Sequence, residues 1–346
     1  MKRAAIISIL FSLALANAET FTLDTRDRVR DADGDWAVRQ QKVLWDAKAT
    51  AVIVCDMWDL HHCKNAVGRV GEMAPRMNQL LNTARARGAL IIHAPSSCME
   101  FYKNHPARKR AQAAPGAAVQ PKAIESWCHW IDKVEESQGY PIDHSDGGED
   151  DDPAEHAAWA SHLAKLGRNP GSPWKRQVAL IGIDPRRDAI SDSGIEIWNL
   201  LEARGIRNVL LVGVHTNMCV LGRPFGLRNM ARNGKNVLLV RDLTDSMYNP
   251  ASWPYVNHFR GTALVVEHIG QPVHVGADLG EDILAHQIDR RARTFGHRLA
   301  GQRLAQHQRQ RGGQRDIARR FGAHDRIGRG AHFDRRVEIA ANARIA

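Results

Sequence analysis

In Leu210-Leu211-Val212-Gly213-Val214-His215-Thr216-Asn217-Met218-Cys219-Val220 an apolar strand passes through a glycine into a short turn and then reaches a cysteine. A continuous apolar run without polar alternation suits a strand buried on both faces of a parallel sheet. A cysteine that opens the following helix would have its thiolate favoured by backbone N–H groups and the helix dipole. Val214, His215 and Thr216 belong to the turn that would supply N–H donors to an oxyanion. Taken alone, a buried cysteine is more often a small hydrophobe.

Similar apolar runs recur outward from this one, at Ala51–Cys55, Ala89–His93, Val178–Ile183, Val237–Val240 and Ala263–Ile269, and each is read as a strand. Between them, Met77, Leu80, Leu81 and Ala84 repeat at helical spacing before Gly88, and Ile197, Leu200 and Leu201 do so before Gly205. Strands alternating with helices predict an α/β protein with a doubly wound, mainly parallel sheet flanked by helices. Residues 96–176 break the rhythm after the second strand. They are polar, with Trp127, Trp130, Trp159 and the acidic run Glu149-Asp150-Asp151-Asp152, and they are expected to form an insertion over the sheet. The acidic run suits either a cation or a solvated loop.

In doubly wound sheets ligands sit beyond the carboxyl ends of the strands, so residues at strand ends are the candidates for chemistry. Asp56 directly follows the first strand, where it is either a cap or a site carboxylate. Trp58, Asp59, His61 and His62 come next, His93 ends the second strand, and His215 precedes Cys219 by four residues. Imidazoles there suit acid–base work near neutral pH or a satisfied structural role.

Taken together, Val54-Cys55-Asp56 and Gly213-Val214-His215-Thr216-Asn217-Met218-Cys219-Val220 resemble the isochorismatase-like cysteine hydrolases, the family that includes nicotinamidases. That pattern ends its first strand in Asp and a later strand in Gly-Val-x-Thr-x-x-Cys-Val. The resemblance covers roughly 46–95 and 175–269. It implies a Cys–Asp–Lys triad acting on a small amide or related carbonyl compound through a thioester, with Cys219 as nucleophile and Asp56 as base. It also implies a cis peptide at Val214–His215. The family's Lys ends the strand placed here at Val178–Ile183, and this chain continues Asp184-Pro185-Arg186-Arg187-Asp188 instead. Arg186 or Arg187, with Arg187 preferred, is therefore the candidate cation, although an Arg cannot shuttle a proton. Trp58, His61 and His93 are placed on the substrate side. No cofactor is required by this chemistry. A divalent metal at Asp59 and His61 is an option, because nicotinamidase-type members hold one through Asp-x-His. The other reading is a catalytically silent member that binds a small ligand or partner.

The two ends differ from the body. Lys2 and Arg3, the apolar Ala4–Leu15 and Ala16-Asn17-Ala18 have the form of a secretory signal peptide over 1–18, or of an uncleaved anchor. The expected mature protein is exported, periplasmic or secreted, with no membrane contact after cleavage. The 270–346 tail holds 15 Arg, 8 acids and no Ser, Lys, Met, Cys, Trp or Tyr. It suits a disordered basic arm or an out-of-frame read. The formal charge of +10 resides mostly there, and 19–269 carries only +1, so a nucleic-acid partner is not expected of the body. The expected domain is 19–269, with a small-molecule substrate and a homo-oligomer as an option. Five cysteines at irregular spacing and no CxxC pair argue against a structural zinc site, with Cys98–Cys128 as the one plausible bridge.

Overall fold

The computed structural model describes residues 19–33, 35–137, 139–270 and 286–288; the 1–18 leader and nearly all of the 270–346 tail lie outside the described residues. In chain order the elements are β1 (Thr20–Arg30), β2 (Trp36–Asp46), β3 (Thr50–Cys55), α1 (Lys64–Ala86), β4 (Leu90–Ala94), α2 (Met99–Tyr102), α3 (Pro106–Gln112), α4 (Lys133–Ser137), α5 (Pro153–Lys165), β5 (Ala189–Ile190), α6 (Gly194–Ala203), β6 (Asn208–Val214), a π-helical turn (Thr216–Val220), α7 (Leu227–Arg232), β7 (Asn236–Asp245), α8 (His258–Ile269) and β8 (His286–Ile288).

Five parallel strands in the order β7-β6-β3-β4-β5 form the centre of the sheet. Every residue of β3, β4 and β6 is buried. Their side chains alternate between two cores. Ala51, Ile53 and Cys55 pack with α6, α7 and α8 on one face, while Val52 and Val54 pack with α1 on the other. Burial on both faces is why these strands carry no polar alternation. The chain leaves β3 toward β4 and β5 on one side and returns through β6 to β7 on the other, so the switch point lies between β3 and β6.

Gly213 makes the β3–β6 approach possible. It pairs with Cys55 at φ 112°, and a Cβ at this position would lie 2.0 Å from the Cys55 carbonyl oxygen. Only glycine takes that backbone conformation readily and leaves that space open.

Four features depart from the sequence reading. The Val178–Ile183 run is a turn, not a strand: Ile181 N–H donates to Val178 O, and Leu180 is exposed. The third parallel strand is the two-residue β5. Ala263–Ile269 belongs to helix α8, capped by Asn257, with Gly261, Val265, Val266 and Ile269 buried at helical spacing. An antiparallel hairpin, β1–β2, precedes the parallel sheet, and Phe21, Leu23, Thr25 and Asp27 are buried in alternation along it. In the tail, β8 pairs with both β7 and β1.

The 96–176 segment contains α2 to α5. Its acidic run is built into the fold. Asp152 caps α5 through Ala154 N–H, Asp151 accepts from Lys64 and Asn65 N–H at the start of α1, and Asp150 pairs with Arg69 at 2.8 Å. Cys98 and Cys128 are not bridged, and all five cysteines are free and buried. No helix among the described residues is long and apolar enough to cross a membrane.

Candidate active site

The register that sets Cys55 opposite Gly213 brings the ends of β3 and β6 together, and Asp56 and the turn carrying Cys219 follow directly from them. Asp56 is fully buried at φ 46°, in the left-handed region that Asp tolerates better than most residues. Its N–H donates to Ala94 O, and its Oδ1 accepts from Ser96 N–H at 2.7 Å. Asp56 Oδ2 is shielded from solvent and has no hydrogen-bond partner. The Nε of Arg223 lies 3.5 Å from it, likewise without a hydrogen bond, and Cys219 faces the same carboxylate.

The turn is held from several directions. The Val214–His215 peptide is cis. His215 O accepts from Met218 and Val220 N–H, and the Thr216 and Thr244 hydroxyls meet at 2.6 Å. Asn217 exchanges two hydrogen bonds with the backbone of Met247, and Tyr140 OH donates to Asn217 O. Cys219 thus sits in a short π-helical turn rather than at the first residue of a long helix.

Arg223, four residues after Cys219, is the cation of the site. The sequence reading placed that role on Arg187, which instead forms an exposed pair with Asp184. The guanidinium of Arg223 stacks on Trp127, 5.2 Å from the ring centroid. Trp127 reaches it because Gly222 leaves room: a Cβ there would lie 2.2 Å from Trp127 Nε1. Cys128 N–H donates to Gly222 O and fixes the edge of the 96–176 segment over this turn. The signal available in the sequence was the four-residue spacing, which puts Arg223 one helical turn beyond the thiol.

Burial controls the protonation of the site. It pushes the Asp56 carboxyl above the usual carboxylate range, with the Arg223 charge, the neighbouring Cys219 thiol and the Ser96 N–H pulling it back. It pushes the Cys219 thiol well up, and the Asp56 charge adds to that shift while Arg223 opposes it. Burial and the Asp56 charge thus work against the thiolate that a helix N-terminus was expected to favour.

The other predicted residues fall into two groups. Trp58, His61 and His215 form one aromatic wall with Trp174, which the sequence reading did not single out. Trp58 stacks on Trp174 with centroids 4.5 Å apart, His61 lies 5.9 Å from Trp58, and His215 meets His61 edge-on at 5.0 Å. Trp58 Nε1 donates to Ser96 O, which ties the wall to the loop carrying Asp56's partner. His215 is buried with both ring nitrogens unpartnered, and burial lowers its pKa to about 3. Burial and the neighbouring His215 drive His61 down as well. Both imidazoles are neutral. His93 does not join this wall. Its ring nitrogens bond to Gln177 at 2.9 Å and Asp188 at 3.1 Å, and Arg85 holds Asp188 from the other side. His93 is a buried structural hub between β4 and the approach to β5.

A metal at Asp59 and His61 does not fit these contacts. Asp59 accepts from Arg168 and from Lys175 N–H, and His61 Nδ1 accepts from Cys63 N–H.

No family model and no curated protein matches the chain. Solved structures match part of it. A cysteine hydrolase from Pseudomonas syringae pv. phaseolicola 1448A is 16% identical, over 65% of this chain and 86% of that one, at a TM-score of 0.35. An isochorismatase family protein from Burkholderia thailandensis is 15% identical, over 57% and 79%, at 0.28. An N-carbamoylsarcosine amidase from Thermoplasma acidophilum is 15% identical, over 56% and 83%, at 0.28.

Proposed function

We propose that the chain is an amidase-type cysteine hydrolase that cleaves a small amide or related C–N bond through a thioester on Cys219. The observation that carries this reading is the meeting of a buried carboxylate, a buried thiol and a guanidinium at the switch point between β3 and β6. As Cys219 Sγ attacks the carbonyl carbon, Asp56 accepts the thiol proton and then returns it to the departing amine. Water, deprotonated by Asp56, hydrolyses the thioester. Arg223 keeps its proton throughout and favours the states in which charge has moved onto the thiolate or the substrate oxygen. The raised Asp56 pKa suits this exchange, because it brings the carboxylate closer to the thiol in basicity. Export through the 1–18 leader and action on a small-molecule substrate belong to the same proposal.

Release of ammonia from a panel of amides and ureides tests it. Turnover by the native protein that disappears in Cys219→Ser and falls sharply in Asp56→Asn is the expected result. Full turnover in Cys219→Ser overturns covalent catalysis. The raised thiol pKa, and an Arg that cannot carry a proton as the cation beside Asp56, favour a second reading, a silent ligand-binding member of the same fold. That reading predicts thermal stabilisation by an amide of the panel with no ammonia released.

A further inference from the structure

We propose that Cys63, Glu149, Asp151 and His156 form a binding site for a zinc-class divalent metal, separate from Asp56 and Cys219. Cys63 Sγ and the nearest carboxylate oxygens of Glu149 and Asp151 all lie within 4.8 Å of one another. His156 Nδ1 lies 3.6 Å from Glu149 Oε1 and 3.7 Å from Asp151 Oδ2. Cys63 Sγ lies 3.6 Å from Asp151 Oδ1. Bonds of about 2.0–2.3 Å in a tetrahedron place ligand atoms roughly 3.3–3.8 Å apart. The imidazole–carboxylate spacings match that edge length and are too long for hydrogen bonds.

A second observation concerns His156 itself. The His156 side chain is 40% exposed, but its Nδ1 is shielded from solvent and has no hydrogen-bond partner, although two carboxylates stand beside it. An unpaired buried ring nitrogen is costly, and a shared cation would satisfy it together with both carboxylates. His62 is a reserve ligand on the same side, with Nε2 3.5 Å from Glu149 Oε2 and Nδ1 also shielded and unpartnered.

The surroundings are those of an oriented ligand set. Asp151 is held by Lys64 N–H at 2.7 Å and Asn65 N–H at 2.8 Å. Asp150 is held by Arg69 and His258, and the Cys63 thiol donates to its Oδ1 at 3.2 Å, a hydrogen bond that metal binding would replace. The donor set also selects the ion. Magnesium and calcium prefer oxygen alone, whereas thiolate and imidazole with carboxylate suit zinc or cobalt. Binding forms the Sγ–metal bond as Cys63 releases its proton to water, with no change of oxidation state. Such an ion would clamp the cap of α1 to the loop entering α5.

Cobalt(II) titration of the full-length protein tests the site. A thiolate-to-cobalt absorption band in the near ultraviolet should grow to one equivalent and vanish when zinc is added. The band should disappear in Cys63→Ser and persist in Cys219→Ser. Glu149→Gln and His156→Ala should each weaken the affinity by about tenfold or more. These two variants decide the question if Cys63→Ser does not fold. Absence of a band in the native protein overturns the site. So does a band that survives in folded Cys63→Ser, or unchanged affinity in both other variants.

Discussion

Arg223 supplies at the Asp56–Cys219 pair a charge that it cannot give up as a proton, so it acts only through electrostatics. Two substitutions should therefore move the thiol in opposite directions. Arg223→Met removes the charge that lowers the Cys219 pKa, so the midpoint of iodoacetamide alkylation against pH should rise. Asp56→Asn removes the carboxylate that raises it, so the midpoint should fall while turnover collapses. A fall in both midpoints would show that the guanidinium does not act on the thiol. The glycine at the strand junction admits an equally direct check. Gly213→Ala adds a Cβ against the Cys55 carbonyl in a backbone conformation hostile to side chains. It should cost at least about 2 kcal/mol in urea unfolding, or leave no soluble protein.

At the scale of elements, the helix turn after Cys219 depends on the segment folded over it. Trp127→Ala takes away the ring on which Arg223 lies, a contact worth about 1 kcal/mol or somewhat less. It should lower turnover up to about fivefold with little change in unfolding midpoint; an unchanged rate would mean that Arg223 holds its place without the indole. The elements themselves were unevenly legible. β3, β4 and β6 were readable because strands buried on both faces are largely apolar, and β7 through its Val237–Val240 stretch. The same criterion failed on Ala263–Ile269, where β-branched Val265 and Val266 imitate a strand and only their spacing to Gly261 and Ile269 reveals a helix. It failed again at Val178–Ile183, where an apolar run closes into a turn. Asp56 was legible because it directly follows such a strand, and Cys219 because it lies in the turn after one. Arg223 was passed over although it lies four residues after Cys219, and Trp174 was not legible because its stacking on Trp58 joins residues far apart in the sequence. β1–β2 left a readable trace in the alternation of Phe21 and Leu23 that periodicity beyond Thr50 did not use.

For the whole molecule, one buried ionic network sets an alkaline limit. His258 lies between Asp245 Oδ1 at 2.9 Å on Nε2, and Tyr248 O at 3.0 Å with Asp150 Oδ2 at 3.2 Å on Nδ1. Both ring nitrogens face acceptors, so both must donate and the ring is an imidazolium. Asp245 and Asp150 raise its pKa to about 9 against burial and the opposing charge of Arg69. A pKa raised on folding contributes stability that is complete below the unfolded value of about 6.5 and is lost as pH rises through about 9. The unfolding midpoint should accordingly decline between those limits, and His258→Gln should flatten the decline; an equal slope in the variant would assign it to other groups. The five buried, unbridged thiols have a further use as clocks. A shielded sulfur meets a large reagent only when its surroundings open, so the rate of modification at each one times a particular opening. Cys55 is sealed in the centre of the sheet and reports global unfolding, whereas Cys128 lies in the segment draped over it. If Cys128 is modified under native conditions long before Cys55, the covering segment lifts as a unit while the sheet stays closed, and substrate has its way in.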